Sequence, residues 1–246
     1  MEKVTAKMAG AGTGMTVLVI WTLVVSEIDW YEVSETLSNR YLWLLFFGYG
    51  LLVALLVEGV VWKFRIKRHS IRPIGYMAAG FLLFYVFGIN VFAVIAGIIS
   101  AVFAFLFYMG EMAARHSRSY RIVFAFVLPA LFLVIAWIDF SVKQRWEENR
   151  TEEGYEATFG YFHGEHRIPV ELKKGESVYF TINFEPANDG GYGHSFEDAN
   201  GQPAGMEELG RDSFGYRAEQ NGVYYIVLWG DRFNGSIAID WEFKKS

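Results

Sequence analysis

The chain contains no cysteine, so disulfide bonds, thiolate metal ligands and a cysteine nucleophile are all excluded. It also lacks the HExxH zinc motif and the GxxxxGK[ST] phosphate loop, and no Ser-His-Asp order indicates nucleophilic catalysis. These absences predict a protein that is not an enzyme and that needs no resident cofactor.

The second half of the chain lacks a long apolar run and has few basic residues. Residues 147–246 hold 9 Lys and Arg against 19 Asp and Glu, which argues against nucleic acid as a partner because phosphate binding needs clustered cations. Residues 1–146 hold 13 against 8, in long apolar runs joined by short loops. The sequence therefore predicts an α-helical transmembrane bundle within residues 1–140, followed by a water-exposed domain large enough for its own core.

Five transmembrane spans are predicted, at residues 9–26, 41–62, 74–88, 91–110 and 122–140. The apolar run 74–110 would form one helix of about 55 Å, whereas the hydrocarbon core is about 30 Å thick. Gly88 and Asn90 interrupt this run. We therefore divide it into two helices joined by a tight hairpin.

Loop charges predict the orientation, because short cytoplasmic loops accumulate Lys and Arg. The connection after the first span is acidic, whereas those after the second and fourth spans are basic. The basic residues are Lys63, Arg65, Lys67, Arg68 and Arg72 in one loop, and Arg115, Arg118 and Arg121 in the other. Five spans satisfy all three loops, with a cytoplasmic N-terminus and the C-terminal domain outside the cell membrane.

Two alternatives to this topology stay open. With four spans, the C-terminal domain would lie inside. Lys3 and Lys7 precede an apolar segment that ends at Ser26, which also fits a cleaved signal peptide. Cleavage would leave four spans in the same orientation.

The C-terminal half changes to a period of two. Val178, Phe180, Ile182 and Phe184 alternate with polar residues, as do Ile237, Ile239, Trp241 and Phe243, and this pattern predicts half-buried strands. Segments 214–218 and 223–229 flank an Asn-Gly turn and read as a hairpin. Further turns are predicted at 173–176, 198–201 and 234–235. We expect a polar helical stalk over 141–153 and an antiparallel β-sandwich of about seven short strands over 154–246.

A family resemblance rests on five segments of this domain: IPVEL at 168–172, KGE at 174–176, SFEDANG at 195–201, FGYRA at 214–218 and NGVYYIV at 221–227. The domain resembles GOLD-like or bacterial pre-peptidase C-terminal-like β-sandwich domains over about 80 residues. The resemblance implies a binding or interaction module attached to other machinery, and it implies no catalytic residue. Eukaryotic GOLD cargo receptors differ in placing the domain before a coiled coil and a single span.

Two groups of residues in this domain have the chemistry of metal ligands. His163, Glu165 and His166 could hold zinc or copper, but residues 163 and 166 point to opposite faces of a strand unless Gly164 forms a bulge. The acidic and amide-rich segments 188–191 and 197–200 could bind calcium. Local turn hydrogen bonds explain the same residues without a metal.

Glu58 is the one carboxylate well inside a predicted span, and an intramembrane ionisable group is a functional hypothesis. It could relay protons or cations, or pair with a basic residue on another helix. We favour a third reading, in which it pairs locally with Lys63 near the cytoplasmic interface. Glu111 and Asp139 lie at predicted span ends and need no special role.

Two functions follow from these observations. The leading hypothesis is a multi-pass membrane protein that presents its β-sandwich to an envelope polymer, a protein or a membrane subunit, with exposed Tyr and Trp as contact residues. The alternative is a small transporter or channel-type component, with Glu58 in the pathway and the β-domain as an outer cap.

Overall fold

The computed structural model describes residues 2–65, 71–210 and 212–244. The chain divides into two compact units, a helical unit, Met1–Asp139, and a β-unit, Phe140–Ser246. Lys67 and Arg68, which the orientation argument used, lie outside the described residues.

Four helices among the described residues are long and apolar enough to cross a membrane: α1 (Glu2–Val25), α3 (Arg40–Lys63), α5 (Val91–His116) and α6 (Arg118–Ala136). The shorter helices are α2 (Trp30–Ser38) and α4 (Ile71–Leu83), and a 3₁₀ turn, Phe84–Phe87, extends α4. Two π-helical segments interrupt the long helices, Leu44–Tyr49 in α3 and Val123–Val127 in α6.

The helix break predicted near Asn90 is present. Gly88 has a φ of 106°, which glycine adopts readily because it has no Cβ. The Asn90 side chain then caps α5 by accepting a hydrogen bond from the Ala93 amide, at 2.8 Å. Helices α4 and α5 therefore form a packed hairpin.

Three helices extend by four residues or more beyond one end of their predicted spans. α1 begins at Glu2 rather than residue 9, α5 continues to His116 rather than 110, and α6 begins at Arg118 rather than 122. The helices are longer than the predicted spans because the predicted spans ended at the first charged residues, and the bounds of the spans themselves stay a prediction. A charged residue can stay within a packed helix when a neighbouring helix supplies its counter-ion.

Helix α1 occupies the centre of the helical unit and packs against α2, α3, α5 and α6. Its small residues allow the close approach: Ala9 and Ala11 are fully buried, and a methyl group on Gly12 would overlap the backbone of Phe124. Small residues promote helix association because they bring two backbones together. α1 is therefore an integral part of the packed unit.

Helix α2 caps the end of α6. The last carbonyl groups of a helix have no partner within that helix. Here the Ser34 hydroxyl donates to the Ile138 carbonyl at 3.0 Å, and Ser38 donates to Ala136 at 2.9 Å. The acidic connection after the first helix thus contains a helix with a defined packing role.

The described residues of the β-unit form an eight-stranded antiparallel sheet. Its strands are β1 (Val142–Gln144), β2 (Glu147–Arg150), β3 (Gly154–Leu172), β4 (Ser177–Pro186), β5 (Gly191–Glu197), β6 (Glu207–Gly210), β7 (Ser213–Arg217) and β8 (Gly222–Lys244). The order is β1-β3-β8-β4-β7-β6, with β2 also paired to β3 and β5 to β8. The two long strands, β3 and β8, pair along most of their length.

The strands with period two supply much of the core. Val178, Phe180 and Ile182 are buried, as the alternation predicted, and so are Ile237 and Ile239. β4 and β8 are paired with Ile182 opposite Ile239. The pattern therefore identified the buried face of both strands correctly, although Phe243 at the end of β8 is exposed.

The predicted helical stalk at 141–153 is wrong, because this segment forms β1 and β2 along the edge of β3. Between these strands Arg145 has a φ of 52°, and the chain turns so that the Trp146 ring stacks on Phe159 at 4.9 Å. Burial of this aromatic ring and pairing with β3 outweigh the helical propensity of the polar residues.

The predicted hairpin around residues 219–222 is also wrong. β7 pairs with β4 and β6, whereas β8 pairs with β3, β4 and β5. Asn221 and Gly222 do not have the positive φ of a tight hairpin turn. Instead, the Asn221 carboxamide oxygen accepts a hydrogen bond from the Lys174 amide at 2.8 Å.

The turn predicted at residues 234–235 does not reverse the chain, because both residues lie within β8. Gly235 has a φ of 153°, and its backbone approaches the carbonyl of Glu185 closely. We predicted about seven short strands. The described residues form eight, and two of them, β3 and β8, are long.

Candidate functional site

Glu58 pairs with residues on other helices rather than with Lys63. The ammonium group of Lys7, on α1, lies 3.1 Å from Glu58 Oε2 and 3.1 Å from Glu111 Oε1. The side chain of Lys63 instead lies over the Phe64 ring, at 5.9 Å from its centroid. The local pairing that we favoured from the sequence is therefore wrong, and cross-helix pairing takes its place.

Glu111 accepts hydrogen bonds from three side chains at this site. The Tyr76 hydroxyl donates to its Oε2 at 2.5 Å, and Arg115, one turn further along α5, donates to its Oε1 at 2.5 Å. Lys7 is the third donor and also donates to the Ala54 carbonyl at 3.2 Å. Glu111 was predicted to lie at a span end without a role, and the structure corrects this because its side chain is only 2% exposed.

We call these five residues the charge network: Lys7, Glu58, Tyr76, Glu111 and Arg115. Its two cations balance its two anions, and α1, α3, α4 and α5 each contribute. Burial of a charge is costly unless the charge is paired and hydrogen-bonded, and the network meets both conditions. Lys7 is 2% exposed whereas Glu58 is 29% exposed, so one edge of the network is open.

Sequence reasoning identified one of the four charged members of the network, Glu58. One available signal was the spacing of Glu111 and Arg115, which places them on the same face of a helix. Another was Lys7, which stands beside small residues that permit close helix packing. Tyr76 carried no signal, because an aromatic residue in an apolar helix usually packs in a core.

Glu111→Gln should destabilise the helical unit by about 3–5 kcal/mol, because it leaves the buried Lys7 without one of its two carboxylates and removes a buried carboxylate that accepts three hydrogen bonds. The chemically identical change Glu58→Gln should cost about 1 kcal/mol, since Glu58 is partly exposed. The free energy of unfolding in detergent micelles, followed by helical circular dichroism, measures both. Equal losses for the two variants would contradict this ranking.

The three candidate metal ligands of β3 have separate partners. Gly164 has a φ of 116°, and the register shifts beside it, so the bulge that could bring the histidines together is present. His163 Nδ1 nevertheless lies 3.2 Å from Asp231, and Glu165 pairs with Arg167 at 3.3 Å. Within residues 2–65, 71–210 and 212–244, no group of three or more His, Asp or Glu side chains could hold a metal ion.

His166 belongs to a chain of hydrogen bonds. Lys143 donates to His166 Nδ1 at 2.7 Å, the Nε2–H group donates to the Tyr155 oxygen at 2.8 Å, and the Tyr155 hydroxyl donates to Glu148 at 2.7 Å. We assign this tautomer because an ammonium group can only donate. Burial and the positive charge of Lys143 lower the pKa of His166 to about 4. The ring is therefore neutral at pH 7.

The two acidic and amide-rich segments use side-chain oxygen atoms in hydrogen bonds within the β-unit. Asp198 Oδ1 accepts from the amides of Gln202 and Asn200, at 2.9 and 2.8 Å, and these bonds lower the pKa of the Asp198 carboxyl. Asn188 accepts from the Asn234 amide at 3.0 Å and donates to the Arg232 carbonyl at 2.7 Å. The Asp198 bonds are the turn chemistry expected of an Asx residue, whereas Asn188 bonds to the distant strand β8. Calcium binding stays a prediction.

An exposed indole marks one face of the sheet. Trp229 on β8 is 43% exposed, and its ring covers Gly193 on the neighbouring strand β5, where a larger side chain would collide with it. Glu165 is its cross-strand neighbour on β3, and Arg167 bridges Glu165 and Glu197 at 3.3 and 3.2 Å. We call this surface the Trp229 face.

No protein-family model matches the chain, and no curated protein matches it. The resemblance of the β-unit to GOLD-like and pre-peptidase C-terminal-like domains therefore stays a prediction.

Acid should weaken the wild-type β-unit more than a His166→Gln variant. The pKa of His166 is about 4 in the folded state against an ordinary 6.5, so its neutral form stabilises the fold above pH 6.5. This contribution is lost as the pH falls from 6.5 to 4. It amounts to at most about 3 kcal/mol, and to less because the ring is partly exposed.

The measurement is the unfolding free energy of the β-unit in the intact protein at several pH values between 7 and 4. The slope should be shallower in His166→Gln than in wild type. The control His116→Gln, at an exposed histidine of the helical unit, should keep the wild-type slope. A His166→Gln slope as steep as wild type would rule out this role of the histidine.

Proposed function

We propose that this chain is a multi-pass membrane protein whose helical unit is an anchor and whose β-unit is an outer binding or scaffolding module. The partner we propose is an envelope polymer or a protein of the same membrane. The protein would be held in the cell membrane by five spans, with the N-terminus in the cytoplasm.

The outward-facing side chains of the helices support the anchor. Many large apolar side chains there are half exposed or more, among them Trp21, Leu56, Phe92, Ile98 and Val134. A continuous exposed apolar surface marks a site of membrane or protein contact. In the proposed topology, α4 with its 3₁₀ turn would be the third and shortest span, followed by α5 across the Gly88 break.

The single observation that carries the anchoring role is the pairing of both carboxylates of the network with cations across the helices. Glu58 is neutralised by Lys7 at 3.1 Å and lies 3.7 Å from Arg115. The cavity enclosed between the network residues is about 10 Å³, which is about the minimum for one water molecule, whereas a groove of about 420 Å³ borders Glu58 on its exposed side. A cluster whose carboxylates are paired with cations of other helices is suited to fixing those helices against one another.

The Trp229 face supports the binding role of the β-unit. Aromatic residues and arginine are enriched at protein interfaces because they combine large apolar area with polar groups. The Trp229 indole lies over Gly193 of β5 and supplies the apolar area, and Glu165 and Arg167 beside it supply the polar groups. If the bent β3 and β8 divide the sheet into two layers, the unit would be a sandwich of the GOLD-like or pre-peptidase C-terminal-like kind.

Protease shaving of sealed cells tests the topology. With five spans, added protease should remove the β-unit, residues 140–246, and leave a protected fragment that contains α1 to α6. The same treatment of opened cells is the control, because it shows whether the protease can cut the chain near residue 140. A β-unit that is protected in sealed cells but cut in opened cells would place it inside and favour four spans.

Copurification from native membranes tests the binding role. A stoichiometric partner should remain with the intact wild-type protein in mild detergent, and Trp229→Ala should reduce its recovery several-fold. The matched control is Phe243→Ala, because Phe243 is 41% exposed against 43% for Trp229 and lies outside the Trp229 face. Recovery of the partner should be unchanged in this control.

The same purified protein distinguishes the proposed anchor from the alternative function, a transporter or channel-type component. Ion flux in proteoliposomes of partner-free protein, abolished by Glu58→Gln in a folded variant, would overturn the proposal. Equal partner recovery with Trp229→Ala and wild type would remove the Trp229 face from it.

A further inference from the structure

We propose that the helical unit binds one acyl chain of a membrane phospholipid in an apolar cavity between α1, α3, α4 and α5. The cavity has a volume of about 290 Å³. This inference rests on the proposed function, because phospholipid reaches the cavity only if the helical unit lies in a bilayer.

The lining of the cavity favours hydrocarbon over any polar ligand. It consists of aliphatic and aromatic side chains and small residues, and its hydroxyl groups belong to Tyr49, Tyr76 and Ser100. The Tyr49 hydroxyl already donates to the Ala79 carbonyl at 2.8 Å, and the Tyr76 hydroxyl to Glu111 at 2.5 Å. A polar ligand would lose its hydrogen bonds to water without gaining equivalent bonds, whereas an acyl chain loses none.

The length of the cavity matches one leaflet of a bilayer. Its lining residues on α5 run from Ala96 to Phe107, which corresponds to about 16 Å of helix at 1.5 Å per residue. Half of the hydrocarbon core is about 15 Å. The cavity ends at Tyr76, where the charge network begins, so the proposed chain would enter from the opposite, outer end beside Leu42 and Ala96.

The walls of the cavity are built by specific backbone features. The π-helical segment Leu44–Tyr49 supplies Leu45, Phe46 and Tyr49 to the lining, and π segments occur frequently at functional sites. On the opposite wall, Gly80 packs directly against the Ser100 carbonyl, which fixes α4 against α5. The cavity is therefore preformed by backbone packing, as ligand pockets usually are.

Photolabelling in liposomes tests the proposal. The probe is phosphatidylcholine with a diazirine near the end of one acyl chain, diluted into ordinary phosphatidylcholine around the intact protein. Crosslinks should concentrate on cavity residues such as Phe46 and Phe103, several-fold above the outward-facing side of α5. Ala96→Trp and Leu45→Trp, which fill the cavity from two different helices, should each reduce this labelling several-fold.

Each filling variant has a matched control on the same helix, Ile98→Trp for Ala96→Trp and Leu44→Trp for Leu45→Trp. Ile98 and Leu44 are exposed, so cavity labelling should stay at the wild-type level in both controls. Variants are compared only if they unfold at the same temperature as wild type. Two filling positions are used so that the test can still be made if one of the two variants does not fold.

Two negative results are distinguishable. Protein that floats with the liposomes but is labelled evenly over its outward faces, or equally in the filled variants, would overturn the acyl-chain site and leave the membrane anchor intact. Protein that does not float with the liposomes would overturn both the anchor and the site.

Discussion

The contact of one lysine with two carboxylates is the constraint on which the helical unit depends. Lys7 is nearly fully buried between the helices, where an unpaired ammonium group would be too costly to retain. It therefore requires Glu58 on α3 and Glu111 on α5 to lie within hydrogen-bond reach at the same time. Because Glu111 also accepts from Tyr76, this requirement fixes α4 as well. The charges specify one arrangement of four helices, and the small residues along α1 allow the neighbouring helices to pack closely against it.

Polar and apolar tasks are separated within the helical unit. The charge network lies at one end of the α4 and α5 hairpin, and the apolar cavity extends from Tyr76 toward the other. Tyr76 belongs to both: its hydroxyl points into the network and its ring packs near Phe107, at 5.8 Å between centroids. In the β-unit, the corresponding organising element is β8, which pairs with three other strands and so holds the Trp229 face and the core on one continuous backbone.

Two patterns that depend on neighbouring residues were read correctly from the sequence. The glycine and asparagine at the α4 and α5 break act through their own backbone and capping properties. The alternation of Val178, Phe180 and Ile182 reports a local period, and these residues are buried. Partners at long range were read poorly. The Asn-Gly dipeptide predicted a hairpin, but the two flanking strands pair elsewhere, and Asn221 is used to bind the Lys174 amide.

The sequence by itself determined the division into an apolar, helical half and an acidic half rich in strands, because hydrophobic length and period are properties of consecutive residues. It also determined that Glu58 needs an explanation, since an isolated carboxylate in an apolar helix is costly. Only the tertiary structure decided that Lys7 and Arg115 provide this explanation, and that His163, Glu165 and His166 have separate partners. A counter-ion is chosen by distance in space, and residues 7, 58 and 111 become neighbours only when the helices have packed.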